Sequence, residues 1–378
     1  MFLGMREVLY AKGRFALMTA VIGLITVLLV MLTGLTHGLG QQNTSVLTSM
    51  GADRFVFGAP VSEAPANPAG ATATTGKAEV SFANAAVTED QVARWRDAGA
   101  VATPVGFAQT KVEASTSDGA AILGVPSDAK FMTSVVGDPQ RGRVDTLHAQ
   151  DIALSESLAK KINAHVNENV IVQGETLTVV GIVADEYYSH SLVAWTNTST
   201  WRDLVHQPES VVGSALVVTG GVSADAWSRL EKDTKMVSAS THGSFRGLPA
   251  YSTENGSLVT MQGFLYVISA LVTVSFLTVW TMQRTRDIAV LRALGAARGY
   301  LMRDALGQAA VVLAAGVVGG GVVGWALGLL AGRTVPFETS WVTTAGPAVG
   351  MWGLGILGAV CAVRKVSTTN PLIALGGN

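Results

Sequence analysis

Charge is scarce in this chain, and cysteine nearly absent. Of 378 residues only 14% are Asp, Glu, Lys or Arg, against about 25% in an ordinary soluble domain, and 49% are hydrophobic. A polypeptide so poor in charge and so rich in apolar side chains is expected in a membrane. The formal net charge is −1, so no overall basic field draws nucleic acid, and only the placement of charge along the chain informs. The single cysteine, Cys361, excludes an internal disulfide and any Cys-x-x-Cys or Cys/His zinc spacing. Catalytic patterns are missing too: there is no nucleophile elbow, no HExxH and no matched acid/base pair, so hydrolysis has no chemical support. The nearest approach to a phosphate loop is Gly70–Ala78, but five residues separate its glycines and Ala78 stands where Ser or Thr must follow Lys77. No intrinsic metal is expected, because His148, His165, His190, His206 and His242 are scattered without ligand spacing and read as surface residues.

What the chain has instead is long uncharged runs. Phe15–Leu39, Leu258–Met282, Ala305–Ala331 and Ala345–Val363 each approach or exceed the roughly 20 helical residues that cross a bilayer core of about 30 Å. The first run is too long for a cleaved signal peptide and lacks a small-residue cleavage site. The predicted organisation is therefore an α-helical membrane protein with four transmembrane helices in a 1+3 order. A large α+β extracytoplasmic domain is inserted between helices 1 and 2. In residues this gives a cytoplasmic N-terminal amphipathic segment 1–14, helix 1 at 15–39, an external domain at 40–257 and helix 2 at 258–282. A cytoplasmic segment 283–304, helix 3 at 305–331, an external loop 332–344, helix 4 at 345–363 and a cytoplasmic tail 364–378 follow.

Lysine and arginine near helix ends are retained on the cytoplasmic side. Arg6, Lys12 and Arg14, then Arg284, Arg286, Arg292, Arg298 and Arg303, then Arg364 and Lys365 all fall on one side of four crossings. Both termini are thus expected in the cytoplasm of a bacterial cell, with the chain multi-pass in its plasma membrane. In the third run Gly316, Gly320, Gly324 and Gly328 repeat every four residues, a stripe along which another helix backbone can approach closely. Gly34 with Gly38, and Gly346 with Gly350, offer shorter versions.

Within the external segment, residues 59–78 are rich in Ala, Pro, Gly and Thr and read as a flexible loop that cannot bury enough apolar surface to order itself. Alternation predicts strands at Lys111–Ser115, Thr176–Val183, Leu192–Trp195 and Ser214–Thr219. Helical spacing appears at Glu89–Ala98, Ser155–Ile162 and Ser223–Thr234.

The segment Met282–Leu306, MQRTRDIAVLRALGAARGYLMRDAL, resembles the cytoplasmic coupling segment of MacB/FtsX-type ABC transporter permeases. Val363–Leu375, VRKVSTTNPLIAL, resembles that family's C-terminal basic segment, and Asp151–Val183 its external strand-helix-strand element. Within the family, the first apolar run and the NTSVLTSMGADRFVF stretch after it are most similar to the branch holding the haem exporter permease HrtB and DevC-like permeases. The resemblance implies mechanotransmission by a homodimer: two copies of this permease, driven by two copies of a separate ABC ATPase subunit that binds the ATP. It places ATPase coupling on Asp287, Ile288, Leu291, Arg292, Leu294 and Gly295, where the family more often has Glu at position 287. The residues agree, since Ile288, Leu291 and Leu294 lie about one turn apart among arginines, an amphipathic docking face.

The resemblance further implies efflux of an amphiphile, with haem as the transported substrate and no intrinsic cofactor. Export of lipid, glycolipid or peptide is the nearest variant, and FtsX-like transmembrane signalling to a cell-wall hydrolase without transport is the alternative of another class. For haem, an apolar slot in the lipid bilayer with one or two iron ligands would suffice. Substrate-binding candidates at the outer halves of helices 1 and 2 are Glu254, Met261, His37, Met31, Tyr251 and Tyr266. Glu254, Leu258, Met261 and Leu265 share a helical face, whereas His37 and Met31, six apart, do not.

Overall fold

A computed structural model describes residues 12–60, 77–127, 129, 141–142, 144, 146–283 and 297–367. Most of the 59–78 loop, coupling positions Asp287, Ile288, Leu291, Arg292, Leu294 and Gly295, and the end of the C-terminal basic segment lie outside the described residues. The chain divides into two compact units, one of residues 1–39 and 255–378, the other of residues 40–254.

Four helices are long and apolar enough to cross a membrane: Phe15–Ser49, Pro249–Phe276, Met302–Ala331 and Trp341–Cys361. They belong to α1 (Lys12–Ser49), α7 (Pro249–Gln283), α8 (Arg298–Ala331) and α9 (Trp341–Ser367). All four overrun the apolar runs from which they were expected, α1 and α7 by the most. α1 continues ten residues past Leu39, although Gln41, Gln42, Asn43 and Thr44 are polar, because Val46 and Leu47 beyond them are fully buried. α7 opens at Pro249, nine residues before Leu258; a proline is well placed at a helix start, where its missing N–H would be unbonded in any case.

In the membrane unit the apolar core gathers Phe15, Met18, Ile22 and Leu29 of α1 with Ala309, Val312, Leu313 and Val317 of α8 and Met351 and Ala359 of α9. Outside it, Leu17, Leu24, Phe264, Val267, Val318 and Leu357 are more than half exposed, as side chains meant for lipid are.

The other unit is α+β. After α1 come β1 (Arg54–Phe57), β2 (Val87–Thr88), α2 (Glu89–Asp97), β3 (Val101–Glu113), β4 (Ser117–Val125), β5 (Arg141–Gly142), β6 (Asp151–Ser155) and α3 (Glu156–Ile162). Then follow β7 (Asn169–Val172), β8 (Glu175–Val183), β9 (Tyr187–Tyr188), β10 (Ser191–Asn197), α4 (Thr198–Leu204), β11 (Val211–Gly213), β12 (Ala215–Thr219), α5 (Ala224–Thr234), β13 (Val237–Ser240) and α6 (Thr241–Ser244). The main sheet runs β13-β1-β12-β3-β4-β10-β6-β8-β5, with β7 beside β3 and β8. Helices α2, α3 and α5 and strands β8, β10 and β12 occupy the stretches whose periodicity predicted them. The strand expected at Lys111–Ser115 is instead the end of β3 and the turn into β4, where Ala114 N–H bonds to Thr116 C=O.

Alternation along β4 divides the apolar residues between two layers. Ala121 and Leu123 face one core with Phe55, Phe57, Phe82, Phe107 and Trp195, and Ala120 and Ile122 face another with Leu158, Ile162, Trp201 and Leu204. Trp201 lies against two glycines: a Cβ on Gly106 or on Gly124 would meet its ring. Gly124→Ala is therefore expected to displace a large, fully packed side chain and cost about 1–3 kcal/mol, read as a lower unfolding temperature of the purified protein; Gly119→Ala, with open space around it, is the matched control.

Candidate functional site

A polar constellation in the α+β unit forms where the β9–β10 hairpin meets the C-terminal end of α1. The hairpin turns through Ser189 (φ 47°) and His190 (φ 65°), two consecutive left-handed residues that give a turn matched to strand twist. Ser189 N–H donates to Asn43 C=O (3.1 Å) and His190 N–H to Gln42 C=O (2.9 Å). Tyr187 N–H donates to Ser45 Oγ at 2.7 Å, and Gln109 Nε2 holds Ser189 C=O from the sheet at 3.3 Å. These bonds fix the imidazole of His190 over the start of α7, where its Nε2 lies 2.8 Å from Glu254 Oε2.

Asn43, 1% exposed, completes the group: its Nδ2 donates to Glu254 Oε2 at 3.3 Å and lies 3.0 Å from His190 Nε2. Nε2 cannot donate to the carboxylate and accept from the amide at once. The shorter contact assigns the proton to Nε2, because a donor facing an ionised acceptor makes the stronger bond. The carboxylate then receives from both imidazole and amide. It keeps partial access, with the Glu254 and His190 side chains 41% and 32% exposed. Among the described residues no three His, Cys, Asp or Glu side chains gather as a metal site.

Tyr251, one turn before Glu254, stacks edge-on against Phe245 at 5.3 Å and packs on the aromatic core. Tyr188 in the same hairpin is buried against Phe82 and Phe107, and burial pushes its phenol well above the ordinary tyrosine range, so it stays neutral.

The remaining candidates belong to the membrane unit. His37 is 52% exposed at its side chain and sits 3.7 Å from Glu338 in the segment between α8 and α9, whose Glu338 N–H bonds Gly34 C=O. Met31 is half-buried, and Met261 is 55% exposed on the outside of α7. Tyr266 is half-buried, its hydroxyl 3.2 Å from where a Cβ on Gly350 would stand.

Along α8 a Cβ on Gly316 would lie 2.8 Å from Ile22 Cγ2, one on Gly320 would meet Gly23 C=O, and one on Gly324 would lie 3.0 Å from Val30 Cβ. Gly328 departs from this pattern and faces the Phe337 ring. Gly34 and Gly38, spaced for a helix, instead receive Phe337 and Pro336 of the loop. Gly346 has open space around it.

Sequence reasoning missed His190 and Asn43. No motif marks them: Ser189-His190 is not a sequence that announces a tight turn, and the three partners are separated by 147 and 64 positions.

Two family models match most of the chain between them. Residues 15–231 match the MacB-like periplasmic core domain model, and residues 259–371 match the FtsX-like permease C-terminal model. Relatives named as hemin transport system permease protein HrtB in Staphylococcus epidermidis and Staphylococcus haemolyticus are each 23% identical, covering 100% of this chain and 99% of theirs. An uncharacterised ABC transporter permease of Mycobacterium bovis is 24% identical over the same shares. Among solved structures, the extracellular domain of the noncanonic ABC-type transporter YknZ aligns at TM-score 0.33 and 15% identity, covering 48% of this chain and 89% of that one. That likeness is too loose to add to the assignment.

Proposed function

We propose, starting from the fact that this chain belongs to the MacB/FtsX family of ABC-type permeases, that it is the membrane subunit of an efflux transporter for haem. Permeases of this family are not themselves enzymes and work with a partner ATPase subunit. In the present reading two copies of this chain and two ATPases form the machine. Both termini and the segment from Arg284 to Arg303 face the cytoplasm, and the α+β domain lies outside. Closure of the ATPases pushes on the cytoplasmic segment, tilts the spanning helices and drives the substrate outward. ATP binding can shift this equilibrium only through contacts that differ between the two states.

The observation that carries the substrate is the full-length likeness to relatives named for hemin transport. The Glu254–His190 pair supports it chemically. It sets a carboxylate able to bind iron beside an imidazole N–H that orients it, at the start of α7. Haem is cargo here and not a resident group.

A spectroscopic titration tests the assignment. Haem added to the purified protein in lipid nanodiscs is expected to bind with a shifted absorbance band. Glu254→Gln and His190→Ala are each expected to weaken binding at least tenfold, about 1.4 kcal/mol. Unchanged spectra and affinity in both variants would remove the pair as ligands. In cells, loss of this chain and its ATPase is expected to raise haem sensitivity; equal growth with and without them would sink the haem reading.

A further inference from the structure

Among the described residues, the long strand β3 has a stretch with only one neighbouring strand. Its first part pairs with β12 as far as Val105, its last two residues pair with β7 at Val112 and Glu113, and Gly106–Lys111 between them pair with β4 alone. At about 3.3 Å per residue this is an open edge roughly 20 Å long, inside a sheet rather than at its rim.

The direction of the backbone along that edge follows from two bonds. Val105 C=O accepts from Ser214 N–H at 2.9 Å, and Phe107 N–H donates to Ser214 Oγ at 3.2 Å, so the odd-numbered residues point away from β4. Peptide groups alternate sides along an antiparallel ladder. The outward set therefore continues with Phe107 C=O, both backbone groups of Gln109 and Lys111 N–H.

A recess of about 330 Å³ lies against this edge, and a second of about 200 Å³ continues it past Ala108 and Gln109 toward Gln173 and His206. They straddle the strand: Phe107, Gln109 and Tyr188 come from one face of the sheet, and Ala108, Trp201 and Val205 from the other. Neither recess is lined by Asp, Glu, Lys or Arg; Asn84, Gln109, Gln173 and Gln207 supply carboxamides instead. Trp201 is 2% exposed, and its Nε1–H has no hydrogen-bond partner among the described residues; such an orphaned buried donor calls for an explanation.

The geometry points to a peptide-docking site: an extended, uncharged segment of a partner protein adds to β3 as a strand between β12 and β7. Donors and acceptors repeating every second residue along one line are complementary to a polypeptide backbone and to little else. The recesses on either side of the edge give room for alternate side chains, as strand addition requires. Carboxamide walls without charge select against acidic and basic sequences. This site does not depend on what the membrane helices transport.

The test uses the full-length protein in nanodiscs and a phage-displayed library of random peptides, with the strongest binder then synthesised. Binding is expected to fall at least tenfold when backbone nitrogens of the peptide are methylated at every second position, and to survive methylation at the positions between. Hydrogen exchange at the Gln109 and Lys111 amides is expected to slow when the peptide is bound. Gln109→Pro removes one outward donor at an edge position where proline is tolerated, and is expected to weaken binding to a similar extent. The inference is overturned if no peptide is enriched, if methylation shows no two-residue period, or if Gln109 and Lys111 exchange at the same rate with and without peptide.

Discussion

Gly320→Leu is expected to remove the folded protein from the membrane, while Gly319→Leu, one position away, leaves it intact. At Gly320 a Cβ would overlap Gly23 C=O and stand 2.8 Å from Thr26 Cβ and 2.9 Å from Gly23 Cα, whereas at Gly319 it meets nothing within 4 Å. The obstacle at Gly320 is backbone, which cannot swing aside as a long side chain does. Lipid tails are as apolar as the helices, so these helices associate through close packing and hydrogen bonds, not through exclusion from water. One methylene too many in a packed core costs about 1–3 kcal/mol, and leucine adds four carbons where not one fits. The helices would have to part along Gly316, Gly320 and Gly324 together. Quantified membrane-fraction blots and detergent-resistant thermal melts read the result; equal abundance and melting for both variants would show that α1 and α8 do not rest on this stripe.

Export is expected to fall below a tenth of normal in the double variant Ile288→Ala, Leu294→Ala, with the protein still inserted at normal levels. The proposal that the segment after α7 docks on the ATPase rests on its spacing and its family likeness. Ile288, Leu291 and Leu294 would present one apolar face between arginines. Burying such a side chain contributes about 1.5–3 kcal/mol, and each 1.4 kcal/mol is tenfold in affinity. Losing most of two side chains should thus separate permease from ATPase by two or more powers of ten. Co-purification of the ATPase and haem efflux from loaded cells measure the two consequences; wild-type export by the double variant would end the coupling assignment. Neither residue contacts substrate in the proposed mechanism, so haem titration of this variant should be unchanged.

The four membrane helices were legible because lipid imposes one simple requirement, a long uncharged run, and Phe15–Leu39 or Ala305–Ala331 satisfies it in any context. The α2, α3 and α5 helices and the β8, β10 and β12 strands were legible for a related reason, since their periodicity reflects one buried face. Strands β3 and β4 were hidden for the opposite reason. Pro104, Gly106, Gly119 and Gly124 break their pattern, and two of those glycines, Gly106 and Gly124, admit Trp201, an aromatic from a helix much further along the chain. The candidate site divides in the same way. Glu254 could be picked out as a carboxylate ahead of an apolar run, but nothing local associates it with His190 or Asn43.

Composition and hydropathy by themselves determined that this is a membrane chain with four crossing-length helices, no phosphate loop and an arginine-bearing segment between the second and third. Those properties are sums over neighbouring residues, which solvent and bilayer read without reference to the rest of the molecule. Only the tertiary structure decided which glycines admit a helix and which a loop, that a hairpin histidine meets Glu254, and that six residues of β3 pair on one edge alone among the described residues. Each of those depends on residues far apart in the chain being brought within a few ångströms of one another, and sequence spacing carries no record of that distance.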